Sequence, residues 1–329
     1  MKRTIVVVVA SGLMGCGAAG PTQAEPPKPN LDDKPTKETG GASADSMAAL
    51  EAAEAKDFAA AKAKADAVLA KSPKDAVAHY ARGIAAEADK DLAGAEQHYR
   101  AALEADPKLV GASIYLSALL IDEKKYEEAA KVARAALSAA KATPELHINL
   151  ANALHGAGDH ATAAKSYANA VALKPEDGEL RLWHAQELLD AGEKDGAAKA
   201  FKGALAKAKG NGSVVALVGL GLKEAGDLPG CVAAFDQAIA GKATAPFFTE
   251  RAICKHLGKD LPGARKDLDE ALKLDASSKA HFYAGKFAEE AGDKKACKAH
   301  YAEAAKLAAA AKPGTKVEEE AKKGVERCK

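Results

Sequence analysis

Aromatic residues make up only 5% of this 329-residue chain, with seven Phe, seven Tyr and a single Trp. So few rings leave little material for a sheet protein, whose strands draw on β-branched and aromatic side chains. Neither sign of charge is in excess, with 47 basic against 46 acidic residues and a formal net charge of +1. Without a basic surplus there is no electrostatic footprint for nucleic acid. Catalytic signatures are missing too: the sequence carries no Ser nucleophile elbow, Walker loop, His-Glu-x-x-His or dinucleotide fingerprint. Gly219 and Gly221 begin a glycine pair, but they sit inside a predicted helix and lack the preceding strand that phosphate cradling needs. No cofactor is implied.

Alanine, by contrast, supplies much of the 48% hydrophobic content. It is the best helix former, and its small side chain lets helices approach closely, so an all-α fold is expected. The N-terminus needs separate treatment. Lys2 and Arg3 precede an apolar run from Ile5 to Ala10, followed by Leu13, Met14, Gly15 and Cys16. That run is too short to span a bilayer and reads as a secretory leader over residues 1–15. The Leu-Met-Gly-Cys sequence resembles the bacterial lipobox, which implies lipidation of Cys16 and a place in the bacterial cell envelope, on the periplasmic face of the outer membrane. Loss of Lys2 and Arg3 with the leader would change the net charge from +1 to −1. Residues 16–43 hold Pro21, Pro26, Pro27, Pro29, Pro35, Gly40 and Gly41 and almost no large apolar side chains. They are expected to form a disordered tether, because they cannot bury enough surface to offset ordering entropy.

From residue 44 to 311 one pattern returns about every 34 residues. Its clearest copy runs from Ala76 to Leu109, with Gly83 as a small residue in a first helix and Leu92, Ala95, Tyr99, Ala102 and Leu103 as an apolar stripe in a second, before Pro107. The same frame sets Ser117 and Tyr126, then Ala151, Gly158 and Tyr167, then Ala185, Gly192 and Phe201. It continues through Gly219, Gly226 and Phe235, through Ala252 and Leu268, and through Gly285, Gly292 and Tyr301. A degenerate first copy holds Ala49, Phe58, Ala61 and Pro73. Gly158, Gly192, Gly226 and Gly292 recur at the turn inside the hairpin, where a positive φ is open to glycine.

These residues resemble the tetratricopeptide repeat family, with its small residues at a helix crossing, its aromatic wedge and its proline after the second helix. The resemblance implies a solenoid of about eight helix-turn-helix repeats, because no hairpin buries its own apolar face and neighbours must stack. Residues 312–329, beginning Lys312-Pro313-Gly314, are expected to turn and form a capping helix. The family also implies a ligand groove lined by first helices, here at Glu145, Asn149, Asn152, Gln186, Asp190, Lys286 and Glu290, with aromatic surface from Tyr80, Tyr115 and Phe282. Asn152 fits the family's lysine and asparagine clamp for a terminal carboxylate, but Ile148 stands where the lysine would be.

Four cysteines follow Cys16, and an exported chain can oxidise them. Three pairings are possible. The repeat frame favours Cys231 with Cys254 and Cys297 with Cys328, each pair mirrored about a turn between antiparallel helices. A metal site is not expected, since Cys-x-x-Cys spacing is absent. His147, His155, His160 and His184 cluster in sequence, but their spacing does not place them on one helical face, so they read as solvated or groove histidines. The expected function is a cell-envelope scaffold, not an enzyme, that holds an envelope protein or peptide segment in its groove and reaches the membrane through its lipid. A cell-wall enzyme or its glycan-binding subunit is the alternative, and would require paired carboxylates converging on a cleft.

Overall fold

The computed structural model describes residues 42–208 and 211–329. The leader, the lipobox with Cys16 and the tether up to residue 41 lie outside the described residues. Two compact units divide at Ala191 and Gly192.

The first unit holds α1 (Ala44–Glu54), α2 (Phe58–Lys71), α3 (Ala76–Ala88), α4 (Leu92–Ala105), α5 (Val110–Asp122), α6 (Tyr126–Ala139), α7 (Pro144–Gly156), α8 (His160–Leu173) and α9 (Gly178–Asp190). The second holds α10 (Lys194–Lys207), α11 (Gly212–Ala225), α12 (Leu228–Gly241), α13 (Ala245–Leu257), α14 (Leu261–Leu274), α15 (Ser278–Glu290), α16 (Lys294–Ala311) and α17 (Lys316–Arg327). No strand occurs among the described residues. Within each unit every helix packs on its chain neighbours, and first helices also touch the next first helix, as α5 does α7 and α13 does α15. The last helix, α17, lies over α16 and α15.

In several hairpins a large side chain of the second helix is seated over a small residue of the first. A β-carbon added at Gly83 would come 2.5 Å from Tyr99 Cε1, one at Gly219 2.7 Å from Phe235, and one at Gly285 2.9 Å from Tyr301. All three rings are buried, as are Tyr167 and Phe201 at the matching positions of α8 and α10. Alanine does the rest: Ala81, Ala95, Ala102, Ala129, Ala133, Ala163 and Ala170 are all fully buried. The scarcity of aromatics therefore reflects a thin interior that needs about one ring for each pair of helices.

The hairpin turn is a two-residue device. A residue in the left-handed region comes first: Gly158, Gly192, Gly226 and Gly292 as expected, and in four other repeats a lysine, Lys56, Lys90, Lys124 and Lys259, with φ between 61° and 68°. An acidic cap follows in most copies. Asp91 accepts from the Gly94 amide at 2.9 Å, Asp159 from Thr162 at 3.2 Å and Asp293 from Ala296 at 3.0 Å, each satisfying a first-turn N–H that the helix itself cannot.

Cys231 on α12 and Cys254 on α13 have Cα atoms 6.2 Å apart, and Cys297 on α16 lies 6.0 Å from Cys328 just past α17, both within disulfide distance. All four are buried.

Two predictions follow from these contacts. A lysine in the left-handed region costs roughly 1–2 kcal/mol, whereas glycine there adds about 0.4–1 kcal/mol of unfolded-state entropy. Lys90→Gly should therefore raise stability by about 0.5–1 kcal/mol in a denaturant melt, and a lower midpoint would contradict the turn assignment. Peptide mapping of the non-reduced chain should find Cys231 joined to Cys254 and Cys297 to Cys328. The bridged residues are 23 and 31 apart in sequence, so chain entropy makes loss of either bridge cost about 3 kcal/mol. Any other connectivity would break the repeat register.

Candidate functional site

The ten groove positions separate into two kinds. Tyr80 is buried among Tyr99 and Tyr115, with ring centroids 6.2 and 5.6 Å away. Asn149 is fully buried, and its amide nitrogen donates to the Ile114 carbonyl at 2.9 Å and to Ser117 Oγ at 2.8 Å, joining α7 to α5. Asn152 is buried and accepts from the Tyr167 hydroxyl, across its own hairpin. Glu145, buried as well, accepts from Lys174 Nζ at 2.9 Å. These four are corrections to the expected ligand set: Tyr80 is packed among rings, and the polar atoms of Asn149, Asn152 and Glu145 tie helices together. The cause is geometric, because a first helix packs against two neighbours and its buried arc is wider than a single stripe.

The others keep an outward face. In the first unit Tyr115 is half-buried, and Gln186 donates to Asp190 Oδ1 at 2.9 Å. In the second, Phe282 is half-buried and packs edge-on to Tyr301 at 5.5 Å and to Tyr283 at 5.6 Å. Phe287 is half-buried beside Tyr283, and the His256 ring stacks flat on it at 3.8 Å. Lys286 and Glu290 are exposed on the same helix, and Glu290 meets His256 Nε2 at 2.6 Å. Thus α15 carries a row of half-buried rings edged by charge.

The buried acids are each held by a basic or imidazole group. Glu250 on α13 lies between Lys223 of α11, at 2.7 Å, and Lys279 of α15. Burial pushes its carboxyl up, but the two ammonium groups outweigh this and hold it below its ordinary value. Asp267 takes Arg251 at 2.6 Å and Lys255 at 2.8 Å, and Glu318 takes Lys322 at 2.5 Å.

Glu187 on α9 differs, since it has imidazoles and no lysine. Its two oxygens accept from His155 Nδ1 at 2.7 Å and His160 Nδ1 at 3.0 Å. The hydrogen bond that His155 donates to Glu187 raises the His155 pKa above its usual value. Trp183 meets His155 edge-on at 6.5 Å. Sequence spacing set these histidines aside because they share no helical face. The structure unites them from α7 and α8, with the acid supplied by a third helix. His147 is apart from them, its Nδ1 buried without a hydrogen-bond partner and its pKa lowered by burial. A second cluster, Glu289 with Cys297 and Cys328, is already engaged: Glu289 takes Arg327 at 2.6 and 3.0 Å and the Tyr301 hydroxyl at 2.8 Å. No described helix is long and apolar enough to cross a membrane.

With this geometry established, comparison with known proteins is informative about the fold. No curated protein matches the chain in sequence. Among solved structures, the C-terminal part of a TPR repeat-containing protein from Cytophaga hutchinsonii superposes with a TM-score of 0.58 at 15% identity, covering 75% of this chain and 99% of that one. YrrB, described as a TPR protein with an unusual peptide-binding site, gives 0.49 at 19% identity over 59% of this chain and 97% of its own. A tetratricopeptide repeat protein from Parabacteroides merdae gives 0.45 at 16% identity over 76% and 97%. Likeness at such identity is one of fold. The tetratricopeptide repeat model matches residues 46–109, 116–178 and 148–212. Those matches include the hairpin in which Tyr99 sits over Gly83, and the chain belongs to the tetratricopeptide repeat family.

Proposed function

We propose that the chain is a lipid-anchored protein of the bacterial cell envelope that holds a partner protein or peptide against the first-helix faces of its repeats, without chemistry of its own. The observation that carries this reading is the row of half-buried rings on α15, Phe282, Tyr283 and Phe287, edged by exposed Lys286 and Glu290. Aromatic anchors with a charged rim are the composition of protein interfaces, and few other residues need contribute much. Leu13 to Cys16 supports the location: lipidation at Cys16 would place the folded units at the periplasmic face of the outer membrane, on a tether of residues 16–43. The alternative of a cell-wall enzyme or glycan-binding subunit needs carboxylates paired with each other. The engagement of Glu145, Glu187, Glu250, Asp267 and Glu318 by basic or imidazole groups supports binding over hydrolysis. Peptidoglycan turnover by the purified chain, abolished by one carboxylate substitution, would overturn this choice.

Two experiments test the proposal. Charge changes on first helices, Gln186→Lys with Lys286→Glu and Glu290→Lys, should reduce crosslinked partner in intact cells by at least about tenfold, the equivalent of roughly 1.4 kcal/mol. An equal number on second helices, Lys165→Glu, Lys199→Glu and Lys298→Glu, should change it little. Circular dichroism should match the parent in both, since five of the six positions are exposed and Gln186 is half-buried. Equal effects would remove the case for a first-helix face. For the anchor, Cys16→Ala should release the chain from the membrane fraction at unchanged helix content, and retention there would sink the lipobox reading.

A further inference from the structure

The repeat frame isolates one layer that packing does not require. Two residues after the small crossing residue, the other full copies carry Ala85, Leu119, Ala153, Gly221, Cys254 and Phe287, none of them charged, and the degenerate first copy carries an exposed Glu51. The fourth full copy carries Glu187, with a fully buried side chain. The hairpin before it supplies histidine at both positions that reach this acid, His155 at the end of α7 and His160 at the start of α8. The copy around Gly83 has Glu87 and Leu92 there instead, and the copy around Ser117 has Ile121 and Tyr126. An acid and two imidazoles have thus replaced residues that serve the fold without them.

We propose that His155, His160 and Glu187 bind one divalent transition-metal ion of the zinc class. Their three ligand atoms lie within 4.8 Å of one another and come from three different helices. Two imidazole nitrogens and one carboxylate oxygen suit zinc, cobalt or nickel, whereas calcium and magnesium favour all-oxygen sets. The acid is locked by packing, and the histidine side chains remain 33% and 32% exposed, which leaves a route for the ion and for water as a fourth ligand. On binding, each imidazole loses its Nδ1 proton to solvent and holds a proton at Nε2. The freed Nδ1 lone pairs and the carboxylate then bind the ion. Small shifts suffice, because hydrogen-bond distances of 2.7 and 3.0 Å become two ligand bonds of about 2.0–2.1 Å to a common ion. A purely structural trio would satisfy the carboxylate equally well and take up no metal, and that difference is measurable.

The test is calorimetry with zinc chloride, and visible absorption with cobalt(II), on the chelator-treated full chain with its cysteines oxidised. One zinc per chain and the intense cobalt bands of a tetrahedral site are expected. His155→Gln, His160→Gln and Glu187→Leu should each weaken zinc binding by more than about 100-fold, beyond the loss usual for residues that only support a ligand. The paired histidines at 281 and 300, whose Nδ1 atoms are 3.1 Å apart, provide the control: His281→Gln with His300→Gln should leave binding unchanged. Glu187→Leu places the side chain found at Leu119, so its helix content should match the parent; His155→Gln, at a partly exposed position, keeps the test decisive if it does not. Absence of stoichiometric uptake, or uptake that survives His155→Gln and His160→Gln, would overturn the site.

Discussion

Everything in each unit depends on how closely the two helices of a hairpin approach. Gly83, Gly219 and Gly285 let Tyr99, Phe235 and Tyr301 lie against backbone, and this contact sets the crossing on which the next hairpin stacks. Because a wedge and its seat are local in sequence, the frame can be repeated with little change. Because the seat must be small, alanine and glycine are as constrained here as large residues are in a globular core. A hairpin leaves one apolar face open, which the next one covers, and the end of the second unit is covered by α17.

That economy divides the polar side chains into two classes. Some cross-link neighbouring helices from inside, as Asn149 does between α7 and α5 and Glu250 does between Lys223 and Lys279. Breaking such a contact by removing one partner leaves a buried group unsatisfied, so they carry stability more than recognition. Others, such as Lys286 and Glu290, stay on the outward arc of a first helix and are free to differ from copy to copy. Recognition by a repeat array rests on this second class, in which each contact is modest and the set is specific.

The repeat, the hairpin turns and the cysteine neighbours were legible in the sequence because they follow from local rules: helical period, glycine at a positive φ, and mirror positions about a turn. Lys90 and Lys124 in the left-handed region were not, since lysine carries no signal for that conformation; the acidic cap after most of these turns was available and overlooked. The buried groove residues were misplaced for a different reason. A period of 3.6 shows that Asn149 and Asn152 share a face, but only the neighbouring helices decide whether that face meets solvent. Glu187 was hardest, being 32 and 27 residues from the histidines it joins. Its one available mark was a charge where the other full copies have none.

The central functional claim is that a partner is held on the first-helix face, and α15 and α16 present the two sides of one hairpin for comparison. A photo-crosslinking amino acid placed at Lys286 on α15, and separately at Lys298 on α16, samples the two exposed faces in the living cell. A discrete crosslinked partner from position 286 and none from position 298 is the predicted result. Equal adducts from both positions, or adducts from position 298 alone, would contradict the account.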